Sequence, residues 1–203
     1  MMHKPAWALA LTWVALAGCT TAPPRDQGNL CNIYRQYPRW YEDSLSMQSQ
    51  FGTPPQVAMA IMKQESSFVA DALPPRAYLL WVIPWGRVSQ SYGYAQAQPP
   101  AWSDFKKSTG KGGSRDNFAD AIRFIGWYAA GTQQQLGISK WDAYNQYLAY
   151  HEGRGGYSRG TYRAKPWLVQ VARKVEQQSK TYGAQLNQCR GELESNRRSF
   201  WFF

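Results

Sequence analysis

Histidine is nearly missing from this chain: there are two, His3 and His151. The three cysteines, Cys19, Cys31 and Cys189, form no cluster along the sequence. A structural zinc site needs about four nitrogen or sulfur ligands brought together, so no metal and no cofactor is expected. The chain has no run of the roughly 20 apolar residues that a membrane-spanning helix needs, and it has no internal repeat. Acidic residues are scarce, 13 against 23 lysines and arginines, for a formal net charge of +10. That balance points to a polyanionic partner or surface. Aromatic residues, by contrast, are plentiful, with 10 tryptophans and 13 tyrosines. Flat rings stack on sugars but also fill cores, so composition leaves both uses open.

The stretch Ala6–Ala17 is apolar apart from Thr12 and follows a short segment holding Lys4. Its length suits the central part of a secretory signal. It ends in Leu16-Ala17-Gly18-Cys19, which resembles the bacterial lipobox. The resemblance implies that residues 1–18 are a cleaved lipoprotein signal peptide and that Cys19 carries the lipid. An uncut signal anchor is the alternative, disfavoured by length. Thr20 stands where an aspartate would mark retention at the inner membrane, so the resemblance points to the outer membrane, facing the periplasm. An exported lipoprotein does not normally meet nucleic acid. Cell-wall glycan bearing peptides and anionic lipid head groups are the better polyanions. Residues 19–30, polar and with Pro23-Pro24, read as a tether. Cys31 and Cys189 remain as an even pair in an oxidising compartment, which suggests a disulfide. Closing so long a loop stabilises by roughly 3–5 kcal/mol in the chain-entropy view. The alternative is two thiols that never meet.

Residues 31–189 read as one domain, mainly α. Helical spacing is expected over Cys31–Gln50, interrupted by Pro38, and over Val57–Phe68, with Thr53 as its cap. Further helices are expected near Ala101–Lys107, Asn117–Leu136, Trp141–His151 and Pro166–Leu186. Asp71–Ser91 breaks the pattern and reads as an inserted functional loop or small β hairpin. Gly153–Gly160 is glycine-rich and reads as a turn. Residues 190–203 read as a C-terminal tail ending in aromatics, packed on the domain or touching the membrane.

Glu65 is the acid that stands out. It falls on the apolar stripe Val57, Ala58, Ile61, Met62 and Phe68, where lost hydration raises a carboxyl pKa. A carboxylic acid kept neutral near pH 7 is what protonation of a glycosidic oxygen requires. A buried glutamate held by hydrogen bonds for structural reasons is the plainer reading.

Three short motifs then occur in order. Glu65-Ser66-Ser67-Phe68 resembles the Glu-Ser motif of the lysozyme-like (goose-type, SLT) lytic transglycosylases. Gly93-Tyr94-Ala95-Gln96 resembles that family's Gly-Leu-Met-Gln, and Ala149-Tyr150-His151-Glu152-Gly153 resembles its Ala-Tyr-Asn-Ala-Gly. The resemblance spans about residues 40–180 and implies a lysozyme-like domain that cuts peptidoglycan. By that resemblance Glu65 is the catalytic acid and then base. Gln96 hydrogen-bonds amide or hydroxyl groups of the substrate, Tyr150 positions Glu65 or the sugar, Ser91 contacts the acetamido group, and Tyr94 and His151 line the site. The bond between N-acetylmuramic acid and N-acetylglucosamine would open without water, leaving a 1,6-anhydro end. The departures are the long insertion, Tyr94-Ala95 for Leu-Met, and His151-Glu152 for Asn-Ala. A family tyrosine falls near Tyr162 or Trp167. If Glu152 faces Glu65, a two-carboxylate, muramidase-like hydrolysis becomes possible; a solvated or helix-capping glutamate is the plainer reading. A non-catalytic glycan-binding envelope lipoprotein is the rival class. Contacts with other cell-wall machinery proteins fit either.

Overall fold

The structure is a computed structural model that describes residues 21–79 and 83–200. For residues 77–79, 83–85 and 198–200 it describes the backbone alone. Cys19 and the 1–18 segment lie outside the described residues, as do Leu80–Val82 and the last three aromatics, Trp201–Phe203.

The fold is mainly helical, as expected. Helix α1 (Leu30–Gln36) starts where the Asn29 side chain accepts from the Asn32 amide at 3.2 Å. Pro38 does not merely interrupt a helix. It opens a new one, α2 (Pro38–Phe51), which ends on left-handed Gly52. Proline suits this place because a first-turn amide has no partner to lose. Helix α3 (Pro55–Ser66) also starts on proline and lacks a side-chain cap. Thr53 is not its cap: its buried hydroxyl donates to the Gly126 carbonyl at 3.1 Å, fastening the start of α3 to another helix.

Helix α3 is the centre of the domain. Its buried residues run around most of its circumference and not along one stripe. It packs against α2, α5 (Phe118–Leu136), α6 (Ala143–Ser158) and α7 (Pro166–Phe200). Helix α4 (Pro99–Thr109) leans on α5 through Trp102 and Phe105. Trp40 of α2 stacks on Phe118 of α5 with centroids 4.0 Å apart. The insertion is a two-stranded antiparallel hairpin, β1 (Arg76–Leu79) with β2 (Ile83–Arg87), carrying a bulge between Ala77 and Tyr78.

Three further expectations change. Gly153 does not end α6; the helix kinks there (φ 72°, ψ 155°) and resumes to Ser158. Residues 190–200 are no tail but the last turns of α7, where Leu193 is buried and Glu194 pairs with Arg197. The tether is docked: Tyr37 donates to the Ala22 carbonyl at 2.6 Å, and Gln27 donates to the Ser67 carbonyl at 3.0 Å. The Cys31–Cys189 disulfide is present, joining α1 to α7 across a separation of 158 residues.

Candidate active site

Glu65 sits in the last turn of α3, at the junction of two openings. One is a cleft of about 610 Å³ lined by Glu65, Ser91, Gln96, Tyr150, His151 and Glu152, with Phe124 and Tyr128 among its other walls. The other, about 710 Å³, is walled by Asp71–Pro75 at the foot of the hairpin. Both are lined by Glu65, Val88, Ser89, Ser91 and Gln96. Glu65 thus lies where the two openings meet.

Burial pushes the Glu65 carboxyl up to about 7, against a smaller downward pull from the Tyr147 hydroxyl. The side chain still reaches the surface in part, at the cleft. With its pKa moved toward neutrality, the carboxyl can hold a proton to donate and then take one back. Tyr147 is 4% exposed, and burial and the neighbouring Glu65 both raise its phenol. Tyr147 lies within the helix expected over Trp141–His151, outside the three motifs. The available signal was spacing: Tyr147, Tyr150 and His151 lie at i, i+3 and i+4, one face of a helix. Tyr150 donates to the Ala95 carbonyl at 2.6 Å. Its hydroxyl thus clasps the turn that carries Gln96, while its ring meets Tyr128 edge-on at 5.1 Å.

That turn is tight. Tyr92 bridges to Ala97, and Gly93 has φ 80°. A Cβ on Gly93 would stand 2.0 Å from the Arg115 carbonyl oxygen, so only glycine fits. The Gln96 amide donates to the Ala72 carbonyl at 2.8 Å and the Gly93 carbonyl at 3.1 Å. Its oxygen accepts from the Ser91 hydroxyl at 3.0 Å. Gln96 and Ser91 therefore brace the cleft wall, and a ligand that meets them meets groups already oriented. Tyr94 needs correcting as a cleft residue. It is 1% exposed and packs edge-on against Trp40 and Phe118 in the core, because its ring completes that aromatic cluster, while the left-handed backbone at Gln96 breaks any simple alternation along the turn. Among the described residues the non-glycine residues with positive φ are Ser67, Phe68 and Gln96. Ser67 and Gln96 line the groove, and Phe68 follows Ser67 into the core. Such conformations cost roughly 1–2 kcal/mol each, and strain of this kind clusters at functional sites.

Glu152 shares the cleft but lives differently. Its side chain is 4% exposed and takes Lys165 at 2.7 Å, His151 at 3.0 Å and the Thr161 hydroxyl. Desolvation works against its charge, but the hydrogen bonds from Lys165, Thr161 and His151 prevail and hold it at about 2. It is a committed anion, neither a solvated glutamate nor a spare base. Trp167 is exposed and meets the His151 ring edge-on at 5.3 Å, whereas Tyr162 stacks on Tyr157.

No curated protein matches the chain. The profile of the family described as transglycosylase SLT domain matches residues 7–189. With most of its length matched and a helical domain built around Glu65, the chain belongs to the transglycosylase SLT domain family.

Proposed function

We propose that the protein is a peptidoglycan lytic transglycosylase whose acid and base is Glu65. The observation that carries this reading is a single carboxyl raised to about 7 in a cleft whose other carboxylate is already tied up. Protonated Glu65 gives its proton to the oxygen between N-acetylmuramic acid and N-acetylglucosamine. The acetamido group of the muramyl residue stabilises the positive centre as that bond breaks. Glu65, now a carboxylate, takes the proton from the muramyl 6-hydroxyl, whose oxygen closes the 1,6-anhydro ring. Tyr147 steadies the carboxylate form. Ser91, Gln96, Tyr150 and His151 face or frame the sugars beside the bond. Mass spectrometry of digested, purified peptidoglycan tests the reading: anhydromuramyl ends are expected, and reducing ends would replace it with muramidase-like hydrolysis. The presence of Glu152 in the cleft is what favours that second reading, but its oxygens are committed to Lys165, Thr161 and His151. A non-catalytic glycan-binding protein leaves the raised pKa of Glu65 without a use.

The cellular setting belongs to the same proposal. Lipid on Cys19 would anchor the chain at the outer membrane, facing the periplasm, after removal of residues 1–18. With Ala22 already bonded to Tyr37, only Thr20 and Thr21 would separate the lipid from the docked chain. Metabolic labelling with a clickable fatty acid checks the anchor, since Cys19→Ser should lose the label.

A further inference from the structure

The motif Ala149-Tyr150-His151-Glu152-Gly153 departs from Ala-Tyr-Asn-Ala-Gly at two adjacent positions, and those two side chains are bonded to each other. Glu152 Oε1 lies 3.0 Å from His151 Nδ1 and 2.7 Å from Lys165 Nζ. The Thr161 hydroxyl, on the 3-10 turn after α6, donates to Glu152 Oε2. One carboxylate thus joins the kinked part of α6, the 3-10 turn that follows and Lys165 at the end of that turn, just ahead of α7. Lys165 already supplies the cation that pairs with it. A carboxylate has no proton to offer, so the imidazole must present Nδ1–H to it. In the neutral ring, Nε2 is then a bare acceptor. His151 lines the cleft and is one-third exposed by side chain. Its ring lies 5.3 Å from that of Trp167 at an interplanar angle of 78°, and Trp167 is 55% exposed. An acceptor nitrogen beside an exposed indole suits a pyranose, which offers hydroxyl or acetamido N–H groups on its rim and C–H groups on its face.

We propose that His151 contacts saccharide through Nε2 as an acceptor, with Trp167 as the adjoining stacking face, and that Glu152 positions His151 in that tautomer. The ligand is an N-acetylated sugar of the glycan, so the inference rests on the cleft being a glycan site. An asparagine can donate or accept; the Glu152-bound imidazole only accepts, which narrows recognition to donor groups on the sugar.

Nitrogen-15 NMR of the full chain above pH 8 tests the tautomer directly. With His3→Gln, His151 is the only imidazole. The wild-type ring is expected protonated at Nδ1, and Glu152→Ala is expected to move the proton to Nε2. Binding of soluble, uncrosslinked glycan fragments is then measured in a Glu65→Gln background, which stops turnover. Glu152→Ala is expected to weaken binding about tenfold, and Trp167→Ala by a similar factor. The double variant His151→Asn with Glu152→Ala is expected to recover most of the loss, since asparagine needs no tautomer set for it. A purely structural Glu152 would leave the double variant as weak as Glu152→Ala, which overturns the proposal. So does a wild-type ring protonated at Nε2, or unchanged binding in Glu152→Ala. A wild-type chain that neither binds nor cleaves glycan overturns the glycan reading and this inference with it. Binding with the wrong tautomer overturns this inference alone.

Discussion

The last turn of α3 and the kink of α6 each put a glutamate into the same cleft, and they treat it in opposite ways. At the end of α3, Glu65 is wrapped by protein and is met by the single hydroxyl of Tyr147, so its pKa climbs to about 7. At the kink, the Glu152 side chain is also largely covered, at 4% exposed, yet three donors converge on it and hold it at about 2. The difference shows that burial by itself does not set protonation. The number of hydrogen-bond donors supplied with the burial does. Residues whose pKa values are driven apart in one site divide the work of acid and fixed charge.

The largest expected effect separates the two carboxyls outright. Glu65→Gln should lower peptidoglycan turnover at least about a thousandfold, within the range expected for a general acid. Glu152→Gln should retain the reaction and its anhydro product. Product release followed by chromatography checks both. Retained turnover in Glu65→Gln would dissolve the comparison, because the neutral acid would then be idle.

The pH dependence comes next. Turnover is expected to fall as pH rises through about 7, where Glu65 loses its proton. Stability carries a second signature with its own sign. Glu65 has a folded pKa above its unfolded one, so its contribution is fully present below about 4.5 and is lost as pH rises through about 7. Glu152 has a folded pKa below its unfolded one, so its contribution is present above about 4.5 and is lost as pH falls toward about 2. Denaturant titrations between pH 4 and 8 should therefore show Glu65→Gln gaining on the wild type as pH rises. The gain should be roughly 1–3 kcal/mol, given 1.36 kcal/mol for each pKa unit. No gain would mean that the Glu65 carboxyl is better solvated than its burial implies.

How far the sequence speaks for itself differs between the two regions in the same way. Helical spacing is enough to put Glu65 on α3 against apolar neighbours, and a proline stands at the first position of both α2 and α3. The insertion was legible as a break in period, and its hairpin form fits the bulged β1–β2 pair. What spacing does not encode is where a polar group finds its partner. Thr53 looks like a cap and is instead a bond to Gly126. Tyr94 sits inside a site motif and faces the core. Glu152 looks solvated until Lys165 and Thr161 are brought to it by the kink at Gly153. Residues 190–200 are charged enough to read as a tail. The helix continues because Leu193 is buried, Arg35 reaches Glu192 and the disulfide fixes Cys189. Each of these outcomes depends on a contact between distant parts of the chain, which a local period cannot show.

Tyr147 gives the smallest expected effect and the sharpest one. Its hydroxyl is the group that pulls the Glu65 pKa down, so Tyr147→Phe removes a donor without opening a cavity. The Glu65 pKa should then rise, and the alkaline limb of the pH–rate profile should move to higher pH. Below that limb, turnover should fall by about tenfold, because the carboxylate left after proton donation loses a hydrogen bond worth roughly 1–2 kcal/mol. A tyrosine that only filled space would leave the limb in place. A limb that moved to lower pH would mean that Tyr147 stabilises the neutral acid instead. Glu65 would then owe its pKa to a hydrogen bond as Glu152 does, and the contrast between the two ends of the cleft would be one of sign, no longer one of donors present against donors missing.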